Sequence, residues 1–273
     1  MLFQRRKSPA ATQNALEPER PVYVFVLSYN RPIYLWCMLD SLYRNTKYPA
    51  KIVFADNGSS DPLVSQVVEG FIRREMFHAV HMCADNRPDR LEWLIRQYRD
   101  DLGEFFAFAE SDVIILDSEE GWLTTMVRLM KANPLLYMLG SQSVPTDFVD
   151  YAEARKIEPD MPQEQIDFLI KPNSPERQLQ DAKEPLIDPF NPPGRLLLFR
   201  TDILSRVPIR GDARTYLSLK EIGLEAKIST EVRHRHLSWL NFYDYHDYDA
   251  KQRALFFAKR DENEKPVDGE QGA

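Results

Sequence analysis

Glu110 and Asp112 are the two residues whose spacing most directly suggests chemistry. They stand one residue apart at the end of Phe106-Ala107-Phe108-Ala109, and the apolar pattern resumes at once with Val113-Ile114-Ile115. An apolar run free of Gly and Pro predicts a buried strand. In an extended chain residues i and i+2 point to the same side, so the two carboxylates would face one way together. They repel each other unless something positive sits between them, and a hard cation with oxygen ligands meets that need. A polar turn whose acids only face water accounts for the same residues, and this stretch alone leaves both readings open.

A second group with ligand chemistry is His234 and His236, inside Glu231-Val232-Arg233-His234-Arg235-His236. If extended, the segment puts both imidazoles on one face, where either could complete an Mn2+ site beside carboxylates. The arginines beside them, Arg233 and Arg235, are candidates to neutralise negative charge on a ligand.

The elements that must position these groups follow a repeating pattern. Val22-Tyr23-Val24-Phe25-Val26-Leu27 reads as a strand buried on both faces, and it ends at the polar cluster Ser28-Tyr29-Asn30-Arg31-Pro32. Helical spacing follows over 33 to 43. A second strand, Lys51-Ile52-Val53-Phe54-Ala55, ends at Asp56-Asn57-Gly58-Ser59-Ser60-Asp61-Pro62, and a helix is predicted over 63 to 76. A third strand over 78 to 83 leads through Arg87 and Arg90 into a helix with Leu91, Leu94, Ile95 and Tyr98 at helical spacing. Such alternation argues for a right-handed βαβ sheet with ligands at the carboxyl ends of its strands. There Ser28 lies in the first polar cluster, Tyr29 offers a flat face to a base, and Asp56 can accept a hydrogen bond from a base or ribose. Arg31, Arg87 and Arg90 are candidates for phosphate. Asp61 before Pro62 reads better as a helix cap than as a ligand.

Composition narrows the class. With 273 residues, 43% of them hydrophobic and 11% aromatic, the chain can bury one large α/β core or two small ones. A formal charge of −7 without a basic block in the body argues against a general nucleic-acid binder. The two cysteines, Cys37 and Cys83, have neither metal-site spacing nor a disulfide framework, which suggests a reducing, cytoplasmic setting. No apolar run approaches the roughly 20 residues that span a bilayer. The start carries Leu2, Phe3, Arg5, Arg6 and Lys7, enough for at most a weak peripheral contact at the inner face of a membrane.

Taken together, the Ser-Tyr-Asn-Arg-Pro, Asp-Asn-Gly-Ser-Ser-Asp and acid-x-acid clusters, each after a strand and in this order, resemble the family 2 glycosyltransferases with the GT-A fold. The resemblance covers roughly 21 to 140 and resumes near 194 to 240. It implies a single α/β domain whose mostly parallel central sheet is flanked by helices. It also implies that Tyr29 and Asp56 hold the nucleobase and ribose of a nucleotide sugar, a UDP-sugar first among them. Glu110 and Asp112 match the family's Asp-x-Asp motif for Mn2+ or Mg2+ at the donor diphosphate, with Glu in place of the first Asp. Asp212, after Gly211 and before a helical segment ending at Gly223, resembles the Asp of the family's Glu-Asp motif, the base of an inverting transfer; a plain helix cap explains it nearly as well. A metal- or diphosphate-binding His is common in the family near His234 and His236.

The organisation implied is a disordered arm over 1–20, one domain over 21–260 and a loose tail over 261–273. Within the domain, 21–140 would bind the nucleotide sugar and 194–260 would carry catalytic and C-terminal elements. The proline-rich insertion over 141–193, with a short helix over 163 to 170, would shape the site for a glycan or lipid-linked acceptor. The expected activity is metal-dependent, inverting glycosyl transfer to a hydroxyl in polysaccharide or glycoconjugate synthesis. Two rivals are a sugar nucleotidyltransferase, disfavoured because the loop after the first strand lacks glycine, and a non-catalytic module that keeps the fold, favoured by Glu110 and Gly211.

Overall fold

The structure, a computed structural model, describes residues 20–144, 150–170, 179–189 and 195–237. The arm expected over 1–20, apart from Arg20, lies outside these residues, as do the last part of the expected domain, 238–260, and the tail over 261–273.

The first half follows the predicted alternation. Strand β1 (Val22–Ser28) leads to helix α1 (Pro32–Asn45), β2 (Ala50–Asp56) to α2 (Pro62–Ile72), and β3 (Phe77–Met82) to α3 (Arg90–Gln97). Then come β4 (Phe105–Glu110), β5 (Val113–Ile115), α4 (Trp122–Ala132) and β6 (Leu136–Ser143). The insertion supplies the short helices α5 (Tyr151–Ile157) and α6 (Gln163–Ile170) and the two-residue strand β7 (Leu186–Ile187). The chain closes with β8 (Leu196–Arg200), α7 (Asp212–Glu221) and the long β9 (Glu225–His236).

The described strands form one sheet in the order β3-β2-β1-β4-β8-β6-β9-β5, with β7 also on β9. Pairs among β3, β2, β1 and β4 are parallel, whereas β8 runs antiparallel to both β4 and β6. The sheet is mixed, as a mostly parallel sheet allows: the first half is parallel throughout and β6 also runs parallel to β9, while β8, β5 and β7 pair antiparallel. Apolar periodicity identifies a strand but carries no information on its direction.

Alternation along β1 shows why these strands read as apolar throughout. Val22, Val24 and Val26 face a core built with Leu35, Met38, Leu39 and Leu42 of α1 and Val64, Val68 and Phe71 of α2. Tyr23 and Phe25 face the opposite core, with Leu91, Leu94 and Ile95 of α3 and Leu219 of α7. Each such side chain, fully buried, contributes about 1.5–3 kcal/mol. Among the described residues no helix is long and apolar enough to cross a membrane, and both cysteines are free thiols.

Candidate active site

Parallel register brings the strand ends together: Ser28 pairs with Asp56, and Leu27 with Glu110. The loops beyond them are stitched to each other. Asn30, held at φ 55°, accepts from the Ser60 and Asp61 amides through Oδ1 (3.0 and 3.2 Å), and its own amide donates to Ser59 Oγ at 2.7 Å. Asp61 Oδ1 caps α2 by accepting from the Leu63 amide at 3.0 Å, with Pro62 next in line. Gly58 has φ 78°, and a Cβ there would lie 2.4 Å from the Asp85 carbonyl carbon, so only glycine fits where this loop passes the next.

Glu110-Ser111-Asp112 forms the turn at which the chain leaves the centre of the sheet for its far edge. β4 ends between β1 and β8, whereas β5 pairs with β9. That crossing sets Val113 opposite His236, and the Leu237 amide donates to the Asp112 carbonyl at 2.7 Å. The result is a cleft of about 300 Å3 lined by Ser28, Tyr29, Arg31, Asn57, Glu110, Ser111, Asp112 and Arg195, with Leu27 and Phe108 beneath.

Asp112 is the most buried acid of the cleft, at 2% exposure. Its Oδ2 accepts from Arg31 Nη1 at 3.0 Å and lies 3.9 Å from His236 Nε2. Its Oδ1 is buried without a hydrogen-bond partner among the described residues, as is Ser28 Oγ. A buried carboxylate oxygen left unsatisfied is costly unless a ligand completes it. An oxygen donor with an imidazole nearby suits Mn2+ or Mg2+, so Asp112 could hold the expected cation, and His236 is the imidazole beside it. Among the described residues no three His, Cys, Asp or Glu side chains are gathered to hold a metal on their own. A cation here would draw its remaining ligands from the donor and from water.

Glu110 accepts instead from Arg195 Nη1, at the start of β8. Burial pushes the Glu110 carboxyl up to about 7; the Arg195 guanidinium opposes that, and the charges of Asp112 and Asp212 add to it. Exposure of the pair, 28% for Arg195 and 24% for Glu110, tempers the burial. Asp212 stands at the first turn of α7, after Gly211 with φ 86°, and is not among the residues that line the cleft. Asp212 Oδ1 accepts from the Ala213 amide at 2.6 Å, so its carboxylate stands at a helix N-terminus.

Beyond Asp212 and His236, which do not line the cleft, four more expected residues are not brought to it. Asp56 is committed to its own turn, accepting from the Ser59 amide at 2.8 Å and from Ser59 Oγ. Arg87 forks onto Asp89 at the surface (3.0 and 2.7 Å). Arg90 is buried and ties loops together, through Nε to Asn57 Oδ1 (3.0 Å) and Nη2 to Asp85 Oδ1 (2.6 Å). His234 is fully buried one ladder step deeper than His236, with Nδ1 2.7 Å from Ser141 Oγ and Nε2 3.1 Å from Ser143 Oγ. Both ring nitrogens are thus engaged by β6, which leaves none for a metal. Conversely, Arg195, Asn57 and Ser111 line the cleft although their sequence context gave no reason to select them.

The setting of His234 predicts a specific acid sensitivity. Burial pushes its pKa down from 6.5 to about 3, helped by His236 and Arg195 and opposed by Asp112. A depressed folded pKa means the unfolded chain takes the proton first, so this stability is present above the unfolded value and lost as pH falls below it. Between pH 7 and pH 5, urea denaturation should show the wild type losing about 2 kcal/mol more than His234→Gln. Equal losses in the two proteins would count against a buried neutral imidazole.

The comparisons with known proteins agree with this geometry. The family model for glycosyl transferase family 2 matches residues 23–203. Among solved structures the chain is similar to the mannosyltransferase PcManGT from Pyrobaculum calidifontis in complex with GDP-Man and Mn2+ (19% identity, TM-score 0.53, covering 92% of this chain and 66% of that one). It is also similar to GalNAc-T7 with UDP, GalNAc and Mn2+ (12%, 0.55, 84% and 46%) and to residues 1–349 of S. aureus TarS with UDP-GlcNAc (16%, 0.50, 79% and 58%). The chain spans less than two thirds of the length of each of these structures. No curated protein sequence matches it. At such identities the likeness is one of fold, whereas the family match covers most of the chain and includes the strand ends that form the cleft: the chain belongs to glycosyl transferase family 2, with the GT-A fold of its structural neighbours.

Proposed function

We propose that the protein transfers a glycosyl group, with inversion, from a nucleoside-diphosphate sugar to an acceptor hydroxyl, assisted by a divalent cation. The observation that carries this reading is Asp112: a carboxylate at the strand ends that lines a polar cleft, nearly inaccessible to solvent, with one oxygen pinned by Arg31 and the other without a hydrogen-bond partner among the described residues. The nucleotide would lie across the ends of β1 and β2, with Tyr29 against the base. Asp212 would take the proton of the attacking hydroxyl as its oxygen bonds to the anomeric carbon and the bond to the diphosphate breaks. A bound cation would supply Lewis-acid neutralisation of the leaving diphosphate, held by Asp112 with His236 beside it. The acceptor, a glycan or lipid-linked hydroxyl, would approach from the side of the insertion, where Phe168 of α6 is 73% exposed.

The direct test is thermal stabilisation by a panel of UDP- and GDP-sugars with and without Mn2+. A ligand that binds only the folded state raises Tm with its affinity, by about 2.7 kcal/mol at a hundredfold excess over Kd. Stabilisation by one donor, dependent on Mn2+ and followed by its slow hydrolysis, supports transfer. No stabilisation by any nucleotide points to a non-catalytic member that keeps the fold.

A further inference from the structure

We propose that Arg195 is a resident counter-cation of the donor cleft: it neutralises Glu110 while the cleft lacks its ligands, and it exchanges Glu110 for the donor's diphosphate when a nucleoside diphosphate enters with a divalent cation. This rests on the donor-site reading above and deepens it.

The two acids of the turn are held differently. Asp112 is pinned from below by Arg31, whose own backbone is fixed in the left-handed region at φ 56° before Pro32, and the pair is nearly inaccessible (14% and 3% side-chain exposure). That arrangement keeps one carboxylate oxygen on the arginine and leaves the other unsatisfied, so Arg31 need not move for Asp112 to take a ligand. Glu110 and Arg195 form a looser pair at the mouth. Their backbones are joined across the β4–β8 ladder, Glu110 donating its amide to the Arg195 carbonyl at 3.0 Å, one step beyond the pair Ala109 and Leu196. Cross-strand neighbours share a face, and both side chains are long. They can part by rotating side-chain torsions while the sheet stays still.

Charge gives the exchange its direction. Glu110 and Asp112 put two carboxylates in a cleft that must accept a diphosphate, each with a guanidinium in contact with it. A diphosphate arriving alone meets acids whose counter-charges are already engaged. A cation arriving with it can take over Glu110, and the guanidinium so released has the fork that matches phosphate oxygens. The pair is about a quarter exposed, so water reaches both side chains as they part. The partner of Arg195 is also sensitive to side-chain length: Glu110→Asp shortens the arm that reaches it.

Calorimetric titration of the full chain with Mn2+ alone, and with UDP and GDP in saturating Mn2+, separates this role from a structural one. Arg195→Gln should bind Mn2+ alone several-fold more tightly, because a competitor for Glu110 is gone, and should bind the preferred nucleoside diphosphate roughly tenfold more weakly. Glu110→Asp should do the reverse for the nucleotide offered without metal, binding it several-fold more tightly than wild type. Arg195→Lys, which keeps the charge and loses the fork, should fall between wild type and Arg195→Gln, and it carries the test if the Gln variant does not fold. Unchanged nucleotide affinity in Arg195→Gln and Arg195→Lys, or weakened Mn2+ binding in them, overturns the exchange while leaving the donor-site reading intact. A wild type that binds neither Mn2+ nor any nucleoside diphosphate overturns the donor-site reading itself.

Discussion

Replacing Asp112 by Asn is expected to lower glycosyl transfer about a thousandfold while the protein stays folded. The substitution preserves volume in a site with 2% exposure, and it removes the one negative charge that is both pinned by Arg31 and left with an unsatisfied oxygen. An amide nitrogen turned toward Arg31 would be a donor facing a donor, so the side chain should present its carbonyl to the guanidinium and its NH2 to the cleft. A group that accepts from or coordinates a positive partner is thereby replaced by one that cannot. Losing the charged pair should cost about 1–3 kcal/mol, because Arg31 keeps an acceptor though not an anion. For a chain of this size that is a fall in Tm of less than about 10 °C. Initial rates with the preferred donor, set beside thermal unfolding followed by circular dichroism, give both numbers. Excess chelator should lower the wild-type rate by a similar factor and leave the residual rate of Asp112→Asn unchanged. Full activity in the variant, or a wild type indifferent to chelator, removes Asp112 from cation binding.

Why Asp112 was legible and Arg195 was not is a matter of sequence distance. Residues at strand ends announce themselves locally: an apolar run stops, polar residues follow, and the parallel alternation predicts that all such stops lie along one edge. Ser28, Tyr29, Arg31, Glu110 and Asp112 were found that way, and they do line one cleft. Arg195 reaches the same cleft only because β8 inserts antiparallel between β4 and β6, a pairing 85 positions apart in the chain. No local pattern encodes that neighbour. The same limit explains His234 and His236. Alternation correctly puts both on one face of β9, yet the register of β6 brings Ser141 and Ser143 to both ring nitrogens of His234, whereas His236 stands opposite Val113 with its Nε2 3.9 Å from Asp112.

The arginines after β3 and the carboxylate of Asp56 illustrate a different limit. Their residue types suit phosphate and ribose, and their loops do lie at the ligand-binding edge. Turn-rich loops must satisfy their own backbone first, however, and here they do so with the same side chains that seemed available for a ligand. Asp56 closes its turn onto Ser59, and Asn57 with Arg90 joins the β2 loop to the β3 loop. The strand ends are thereby stiffened at the cost of candidate contacts. A stiff edge is also what a donor site needs, since a carboxylate that must meet charge in a defined place works best on a frame that does not relax.

Asp212→Asn should separate binding from transfer. The residue begins α7 with its Oδ1 accepting from the Ala213 amide, and Asn, which serves well at helix N-termini, can make the same bond with its carbonyl oxygen. Stability should therefore change by less than about 1 kcal/mol. What disappears is the capacity to take a proton. If Asp212 receives the proton of the attacking hydroxyl, kcat should fall by about 10²–10⁴ while the affinity for donor, measured by calorimetry in Mn2+, stays within a few-fold of wild type. If it is only a helix cap, the variant transfers at the wild-type rate. Gly211 before it sharpens the comparison. It has φ 86°, and a Cβ there would meet nothing within 4 Å, so the position ahead of the carboxylate is open and no second acid stands there to substitute. A wild-type kcat in Asp212→Asn would therefore move the search for the base away from the start of α7, whereas a selective loss of kcat with donor binding retained ties the proton to this carboxylate.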